Sequence, residues 1–278
     1  MQMTNLPKAV FSDVDGTLLN KEREISAFTA EQIQNLVHNH NTPFVMVTAR
    51  MPMGVERFYK SLNMNTPVVC YNGALVLSSF SNGWENNVWE SHTLTAQYSL
   101  EVAKIALSQN LHCSIYSGDT WVANAHDEWT VREENNTQCM ATVASIIELL
   151  SGWIDSGQGI HKIMIMGSPL SIDFALEKIS HLPNNEGMPY RSKDTYLEIT
   201  PKSVSKADGV KAVLSKLELS LDEAIAFGDN YNDIDMLKAV GTGYAMENAP
   251  SAVKQYAKHI APANTNNGVA QVLLELMQ

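Results

Sequence analysis

Phe11-Ser12-Asp13-Val14-Asp15-Gly16-Thr17-Leu18-Leu19 is the stretch from which the rest of the chain is read. Before it, Ala9 to Ser12 is a short apolar run that predicts a buried strand ending at Asp13. Two carboxylates therefore stand two residues apart just past a strand. In a fully extended chain their side chains point apart, and a bend can turn both towards one ligand. Gly16 permits that bend. Such a pair can coordinate Mg²⁺, supply a nucleophile, or divide general acid and base work. A calcium loop needs a third Asp or Asn before the glycine and a later Glu, and neither stands at the required spacing.

Outward from this stretch the first third alternates short strands and helices. Ser26 to His38 predicts a helix with Ser26 as N-cap and Ile33, Leu36 and Val37 on one face. Phe44 to Val47 predicts a second strand ending at Thr48, and Pro52 opens a helix towards Leu62. Pro67 to Cys70 predicts a third, and Asn72-Gly73 after it signals a hairpin turn. The last third alternates in the same way, with a helix from Lys206 to Leu217, a strand from Ala224 to Phe227, a helix from Asp233 to Val240, a strand from Gly243 to Met246 and a helix from Gly268 to Met277. Strands apolar throughout, alternating with helices, predict an α/β fold with a doubly wound parallel sheet covered on both faces. Ligands of such sheets bind beyond the carboxyl ends of the strands. Asp13, Asp15, Thr48 and Asp229 stand there.

The middle differs. It mixes β-like runs (Ser114 to Tyr116, Trp121 to Ala123, Lys162 to Met166) with helical stretches (Ala96 to Leu107, Ile172 to Ile179). It also carries Trp84, Trp89, Trp121, Trp129 and Trp153. This predicts an α+β domain, residues 84–192, inserted into a core made of residues 1–83 and 193–278. The tryptophans are expected in its core, with a stacking platform for a substrate ring as the alternative. His161 reads as strand edge, and Met164 and Met166 as core filling.

The chain has 278 residues, 45% hydrophobic and 18% charged, with a net charge of −11. That composition excludes a disordered chain. The acidity argues against a nucleic-acid partner. No apolar run is long enough to span a membrane. Met1 to Val10 shows no basic region followed by an apolar stretch, so no secretory signal is expected. Cys70, Cys113 and Cys139, odd in number and far apart, point to reduced thiols in a cytoplasm.

Three further features bear on chemistry. Gly228-Asp229-Asn230-Tyr231-Asn232-Asp233 follows a strand and opens a helix. Asp233 can complement a helix dipole and Asp229 or Asn230 can be an N-cap, but two acidic clusters at strand ends of one sheet also suit a cation. Thr48-Ala49-Arg50 ends a strand, where a hydroxyl and the next amide can bind a phosphate oxygen or merely form a turn. Lys206 starts a helix, where it is either solvated or set to neutralise the carboxylates.

Together these residues resemble the haloacid dehalogenase superfamily, and within it the Cof-type phosphatases, whose larger cap is inserted after the second motif. Asp13-Val14-Asp15-Gly16-Thr17 matches motif I, Thr48-Ala49-Arg50 motif II, Lys206 motif III, and Gly228-Asp229 through Asp233 motif IV. Asn72-Gly73-Ala74 and Glu247-Asn248-Ala249-Pro250 resemble other segments of that branch. Ala207-Asp208-Gly209 departs from it, since many relatives have glycine directly after the lysine.

The resemblance implies a Rossmann-like core, a cap that closes over the site and chooses the leaving group, and Mg²⁺-dependent hydrolysis of a small phosphorylated metabolite, commonly a sugar phosphate. Asp13 would attack phosphorus to form an aspartyl-phosphate. Asp15 would protonate the leaving alcohol and then activate water, which suggests a raised pKa beside Asp13. The metal would rest on Asp13, the Asp15 carbonyl and Asp229, with Asp233 nearby. Thr48 and Lys206 would hold phosphoryl oxygens. Arg50, Asn72 and Asn232 are candidate substrate contacts. A phosphomutase or phosphotransferase with the same intermediate, and a non-catalytic phosphometabolite-binding protein, are the alternatives. Ser203-Val204-Ser205-Lys206 lacks the partner motifs of penicillin-binding enzymes. Gly241-Thr242-Gly243 lacks the last glycine of a dinucleotide site, and Asn135-Asn136-Thr137 is read as a chance sequon.

Overall fold

The computed structural model describes residues 6–278. Of the N-terminal stretch Met1 to Val10, residues 1–5 lie outside the described residues. In chain order the elements are β1 (Ala9–Ser12), α1 (Ala27–Asn39), β2 (Phe44–Val47), α2 (Met53–Ser61), β3 (Val68–Cys70), β4 (Leu75–Leu77) and β5 (Val88–Ser91). Next come α3 (Ala96–Ser108), β6 (His112–Ser117), β7 (Thr120–Ala123), α4 (Glu128–Thr137), β8 (Thr142–Val143), α5 (Ile146–Ser156), β9 (Lys162–Met166), α6 (Pro169–Ser180), β10 (Gly187–Lys193) and β11 (Tyr196–Pro201). The chain closes with α7 (Lys206–Lys216), β12 (Ala224–Gly228), α8 (Ile234–Ala239), β13 (Thr242–Met246), α9 (Ser251–Lys254), β14 (His259–Ala261) and α10 (Gly268–Leu276). They form two compact units. Among the described residues, one holds 6–50, Val55–Glu90 and Val204–Gln278, and the other holds Met51–Gly54 and Ser91–Ser203.

The first unit is built on an eight-stranded sheet ordered β14-β13-β12-β1-β2-β3-β4-β5. From β14 through β3 the strands run parallel, and β4 turns back on β3. The continuous apolar runs explain this. Every residue of β1, β2, β3 and β12 is buried, so none of these strands has a face left for water. Phe11, Val45, Val47, Val69 and Ala226 share one cluster with Val210 and Val213 of α7 and Met236 and Leu237 of α8. The alternate residues Val10, Phe44 and Met46 point to the opposite face and are buried too. Ser26 caps α1 by accepting from Thr29 N. The Tyr71–Ala74 turn joins β3 to β4, with Asn72 at φ 55° and Gly73 at φ 104°. A Cβ on Gly73 would run into the Ser205 carbonyl oxygen. The Ala207-Asp208-Gly209 departure does not delay α7, because Ser205 accepts from Asp208 N and the helix begins at Lys206.

Strand order reverses direction about β1. The chain proceeds to β2 and β3 on one side, and β12, β13 and β14 lie on the other. The carboxyl ends at this reversal are where doubly wound sheets bind ligands.

The second unit is an α+β domain with a six-stranded sheet ordered β10-β11-β9-β6-β7-β8. Its pairs are antiparallel except β7 with β8. Cys113, Ile115, Ile163, Ile165, Leu197 and Ile199 form its core with residues of α3, α5 and α6. On the other face Tyr116 stacks on Trp121 with ring centres 5.6 Å apart, and Lys162 Nζ lies 4.6 Å from the Tyr116 ring centre.

The seams between the units fall at 90/91 and 203/204, where the composition had suggested 83/84 and 192/193. β5 extends the first sheet, and β10 and β11 pair into the second. Trp84 and Trp89 consequently belong to the first unit, and Trp89 packs against its core. Trp153 packs on the core of the second unit. His161 is not a strand edge. It is 5% exposed, accepts from Gly118 N through Nδ1 at 3.1 Å, and meets Ser91 Oγ through Nε2 at 3.1 Å. Burial holds it neutral down to about 4. All three cysteines are buried thiols. No helix among the described residues is long and apolar enough to cross a membrane.

Candidate active site

Asp13, Thr48 and Asp229 each stand one residue past the carboxyl end of a central strand, β1, β2 and β12 respectively. The β1 and β12 ends are tied directly, because Asp13 N donates to Phe227 O at 3.0 Å. α7 enters the same place with its first residue. Lys206, 1% exposed, donates from Nζ to Asp13 Oδ1 at 2.5 Å and to Asp233 Oδ1 at 2.6 Å. A lysine at a helix start is ordinarily solvated. Here two carboxylates compensate its burial and push its pKa up.

Asp13, Asp229 and Asp233 each offer a carboxylate oxygen, and these oxygens lie within 4.8 Å of one another. Burial and the neighbouring carboxylates hold Asp13 well above the usual carboxylate range, against the pull of Lys206. Burial also pushes Asp229 up to about 6 despite a hydrogen bond from Thr17. Asp233 is fully buried and already engaged. Its Oδ2 accepts from Asp229 N and Asn230 N, both at 2.9 Å, and its Oδ1 takes the lysine. It therefore closes the first turn that follows Asn230, at the helix start where the dipole alternative puts it, and it anchors Lys206 as well. Asn230 caps by accepting from Tyr231 N at 2.8 Å.

Asp15 goes elsewhere. Its backbone is extended (φ −82°, ψ 118°), followed by Gly16 at φ 84°. Arg50, itself buried, grips its carboxylate with two bonds of 2.7 Å, Nε to Oδ2 and Nη2 to Oδ1. Arg23 Nη1 adds a third at 3.2 Å. Burial opposes ionisation of Asp15, but the Arg50 hydrogen bonds and the charges of Arg50 and Arg23 outweigh it and hold the carboxyl below its ordinary value. The raised pKa expected at Asp15 is thus found at Asp13 and Asp229, because the two arginines attend Asp15. The carboxylate cluster does not include Asp15.

Thr48 is buried, and its Oγ1 accepts from Arg50 N at 3.1 Å. Its carbonyl accepts from Asn72 N at 2.8 Å. Asn72 Oδ1 in turn accepts from Asn232 Nδ2 at 3.1 Å. The structure therefore joins Thr48, Arg50, Asn72 and Asn232 into one hydrogen-bonded rim.

Contacts that local sequence signals do not mark complete the site. Thr17 Oγ1 donates to Asp229 Oδ1 at 2.7 Å. A Cβ on Gly16 would stand 2.5 Å from Asp229 Oδ2, so no other residue allows this approach. Asn248 Nδ2 donates to Gly16 O at 2.8 Å. Thr17 and Asn248 lie inside family-like segments, but their partners are 212 and 232 residues away.

The sequence model of the haloacid dehalogenase-like hydrolases matches residues 10–273. The chain belongs to that family. A Haemophilus influenzae protein named a putative phosphatase is 33% identical, with 96% of this chain and 97% of that one covered. The 5-amino-6-(5-phospho-D-ribitylamino)uracil phosphatase of Bacillus subtilis is 27% identical, with 98% of each covered. The fold is shared with a haloacid dehalogenase-like hydrolase from Bacteroides thetaiotaomicron, at a TM-score of 0.87 and 23% identity over 97% of this chain and 99% of that one. The parallel sheet with an inserted α+β unit is thus the architecture of this hydrolase family.

Proposed function

We propose that this hydrolase is a Mg²⁺-dependent phosphatase of small phosphorylated metabolites, sugar phosphates foremost, acting through an aspartyl-phosphate on Asp13. The observation that carries the reading is the position of Asp13: buried at the end of β1, at the reversal of strand order, bonded to Lys206 and facing Asp229. Relatives named for phosphate esters of small metabolites, the Bacillus subtilis enzyme among them, support the substrate scale.

The donor set fits the cation. It is all oxygen, as Mg²⁺ prefers, and Asp13, which is buried, and Asp229, which is half-buried, both have pKa values raised by desolvation, which a bound cation would lower. Asp13 and Asp229 would hold the ion, with Asp233 behind them fixing the Asp229–Asn230 backbone. A bound Mg²⁺ supplies charge neutralisation for the phosphoryl oxygens. Lys206 holds Asp13 in place and lends its charge to the phosphoryl group as negative charge builds there. The Thr48 hydroxyl hydrogen, with its oxygen already accepting from Arg50 N, is available to a phosphoryl oxygen. Asp13 attacks phosphorus in line, and the leaving oxygen takes a proton from Asp15. Arg50 keeps Asp15 ionised in the structure. An arriving phosphate dianion competes for that guanidinium and lets Asp15 take up the proton it must deliver. Asp15 then takes a proton from the water that hydrolyses the intermediate.

The test is phosphate release from a panel of sugar phosphates, phosphorylated cofactors and p-nitrophenyl phosphate, with Mg²⁺ and with EDTA. Asp13→Asn serves as the blank. Metal-dependent release that vanishes in the variant is expected. Release that persists in EDTA, or in Asp13→Asn, would overturn the reading.

A further inference from the structure

The turn that follows β1 is held by two asparagines from the C-terminal third. Asn248 Nδ2 donates to Gly16 O at 2.8 Å, and Asn264 Nδ2 donates to Leu19 O at 2.7 Å. The two are joined, since Asn248 Oδ1 accepts from Asn264 N at 3.0 Å. Each therefore grips one carbonyl of the turn, and together they span it. Leu19 N closes the same turn onto Val14 O at 3.0 Å. The segment carrying Asn264 is itself anchored, because Asn267 Oδ1 accepts from Ser26 Oγ, the cap of α1, at 2.7 Å.

Asn248 is exposed, so burial of its side chain does not explain why both ends of its amide are engaged. The object of the grip does. Gly16 stands at φ 84° with Asp229 Oδ2 directly against it, and the next residue, Thr17, donates to Asp229 Oδ1 at 2.7 Å. A carboxylate in contact with a glycine backbone and a threonine hydroxyl keeps its orientation only while that turn keeps its own. Displacing the Gly16 carbonyl moves the Gly16–Thr17 peptide and with it the donor to Asp229.

We propose that Asn248 and Asn264 are positioning residues for the cation site: by clasping the Gly16 turn they hold the Asp229 carboxylate ready for Mg²⁺. This rests on the reading that Asp13 and Asp229 hold the ion. The asparagines touch neither the ion nor the substrate.

The test is calorimetric titration of Mg²⁺ into the cation-free full-length protein, with unfolding in EDTA measured alongside. Loss of one such hydrogen bond is expected to weaken Mg²⁺ binding about fivefold in Asn248→Ala and in Asn264→Ala. Thr17→Val should weaken it to a similar degree. The double asparagine variant should lose less than the product of the single losses, because the two act as one clasp. Asn248→Asp keeps the shape and the acceptor for Asn264 N but has no donor for Gly16 O, so it should not restore affinity. A merely structural role would lower stability in EDTA and leave the Mg²⁺ affinity of the folded variants at the wild-type value. That result, or rescue by Asn248→Asp, would overturn the inference. Wild-type protein that binds no Mg²⁺ would instead overturn the metal assignment on which it rests.

Discussion

Replacing Lys206 by methionine removes a buried cation and leaves its partners where they are. Asp13 and Asp233 then face each other and Asp229 across less than 4.8 Å with no ammonium between them. Lys206 is 1% exposed and Asp233 0%, so bulk water does not screen the carboxylates left behind. Breaking a buried pair by deleting one partner costs about 3–5 kcal/mol, well above the roughly 1 kcal/mol of an ordinary hydrogen bond. Lys206→Met should therefore lower stability by about 3–5 kcal/mol in EDTA at neutral pH. Mg²⁺ at a hundred times its dissociation constant should raise the variant's own stability by about 2.7 kcal/mol over its value in EDTA.

The pH dependence has a definite sign. Asp13 and Asp229 carry folded pKa values above the unfolded 3.8, with Asp229 at about 6. Each such carboxyl favours the folded state when protonated and loses that advantage as pH rises through its folded value. Without the lysine these values rise further, so the deficit should shrink as pH falls from above 6 towards 4. The assay is urea unfolding followed by circular dichroism, at neutral and acidic pH, with EDTA and with Mg²⁺. A variant that unfolds at the wild-type urea concentration in EDTA at neutral pH would refute the reasoning. So would a deficit that acid does not reduce, or a variant that Mg²⁺ does not stabilise.

Other expectations follow from the same geometry. Gly16→Ala places a Cβ against Asp229 in a backbone conformation alanine resists, and should cost more than about 1 kcal/mol and abolish turnover. Gly152→Ala in the middle of α5, where a Cβ meets nothing within 4 Å, should instead stabilise by about 0.5–1 kcal/mol in the same urea assay. His161, with its folded pKa at about 4 against an ordinary 6.5, makes stability fall by about 3 kcal/mol as pH drops across that interval. Urea midpoints across that range should show His161→Gln losing this part of the slope. Arg50→Met should lower kcat/KM about tenfold or more and weaken inhibition by inorganic phosphate. Unchanged steady-state constants would remove Arg50 from the site.

Much of the core was legible because its signals are local. Apolar runs such as Phe44 to Val47 and Ala224 to Phe227 are buried on both faces, so each residue type announces the strand. Ser26 and Ser205 announce helix starts because a cap acts within three residues. The polar residues at those strand ends then had to meet once the strands were parallel and adjacent. What stayed hidden depends on distant partners. The ionisation of Asp15 is decided by Arg50, 35 residues on, and by Arg23, so proximity to Asp13 in sequence misled. α4 is nearly all polar (Glu-Trp-Thr-Val-Arg-Glu-Glu-Asn-Asn-Thr) and buries Thr130 alone, so it has no apolar period to read. The first seam lies later than expected because Trp84 and Trp89 suggested a change of domain, whereas β5 still completes the first sheet, and the second lies later because β10 and β11 pair with each other and onto β9.

The central claim is that Asp13 becomes covalently phosphorylated during turnover. Enzyme quenched in acid while hydrolysing a phosphate ester should carry one phosphoryl group on the peptide containing Asp13, seen as a mass increase on that peptide and absent from Asp13→Asn. Steady phosphate release with no phosphoryl group on that peptide, or with the group on another residue, would contradict the account.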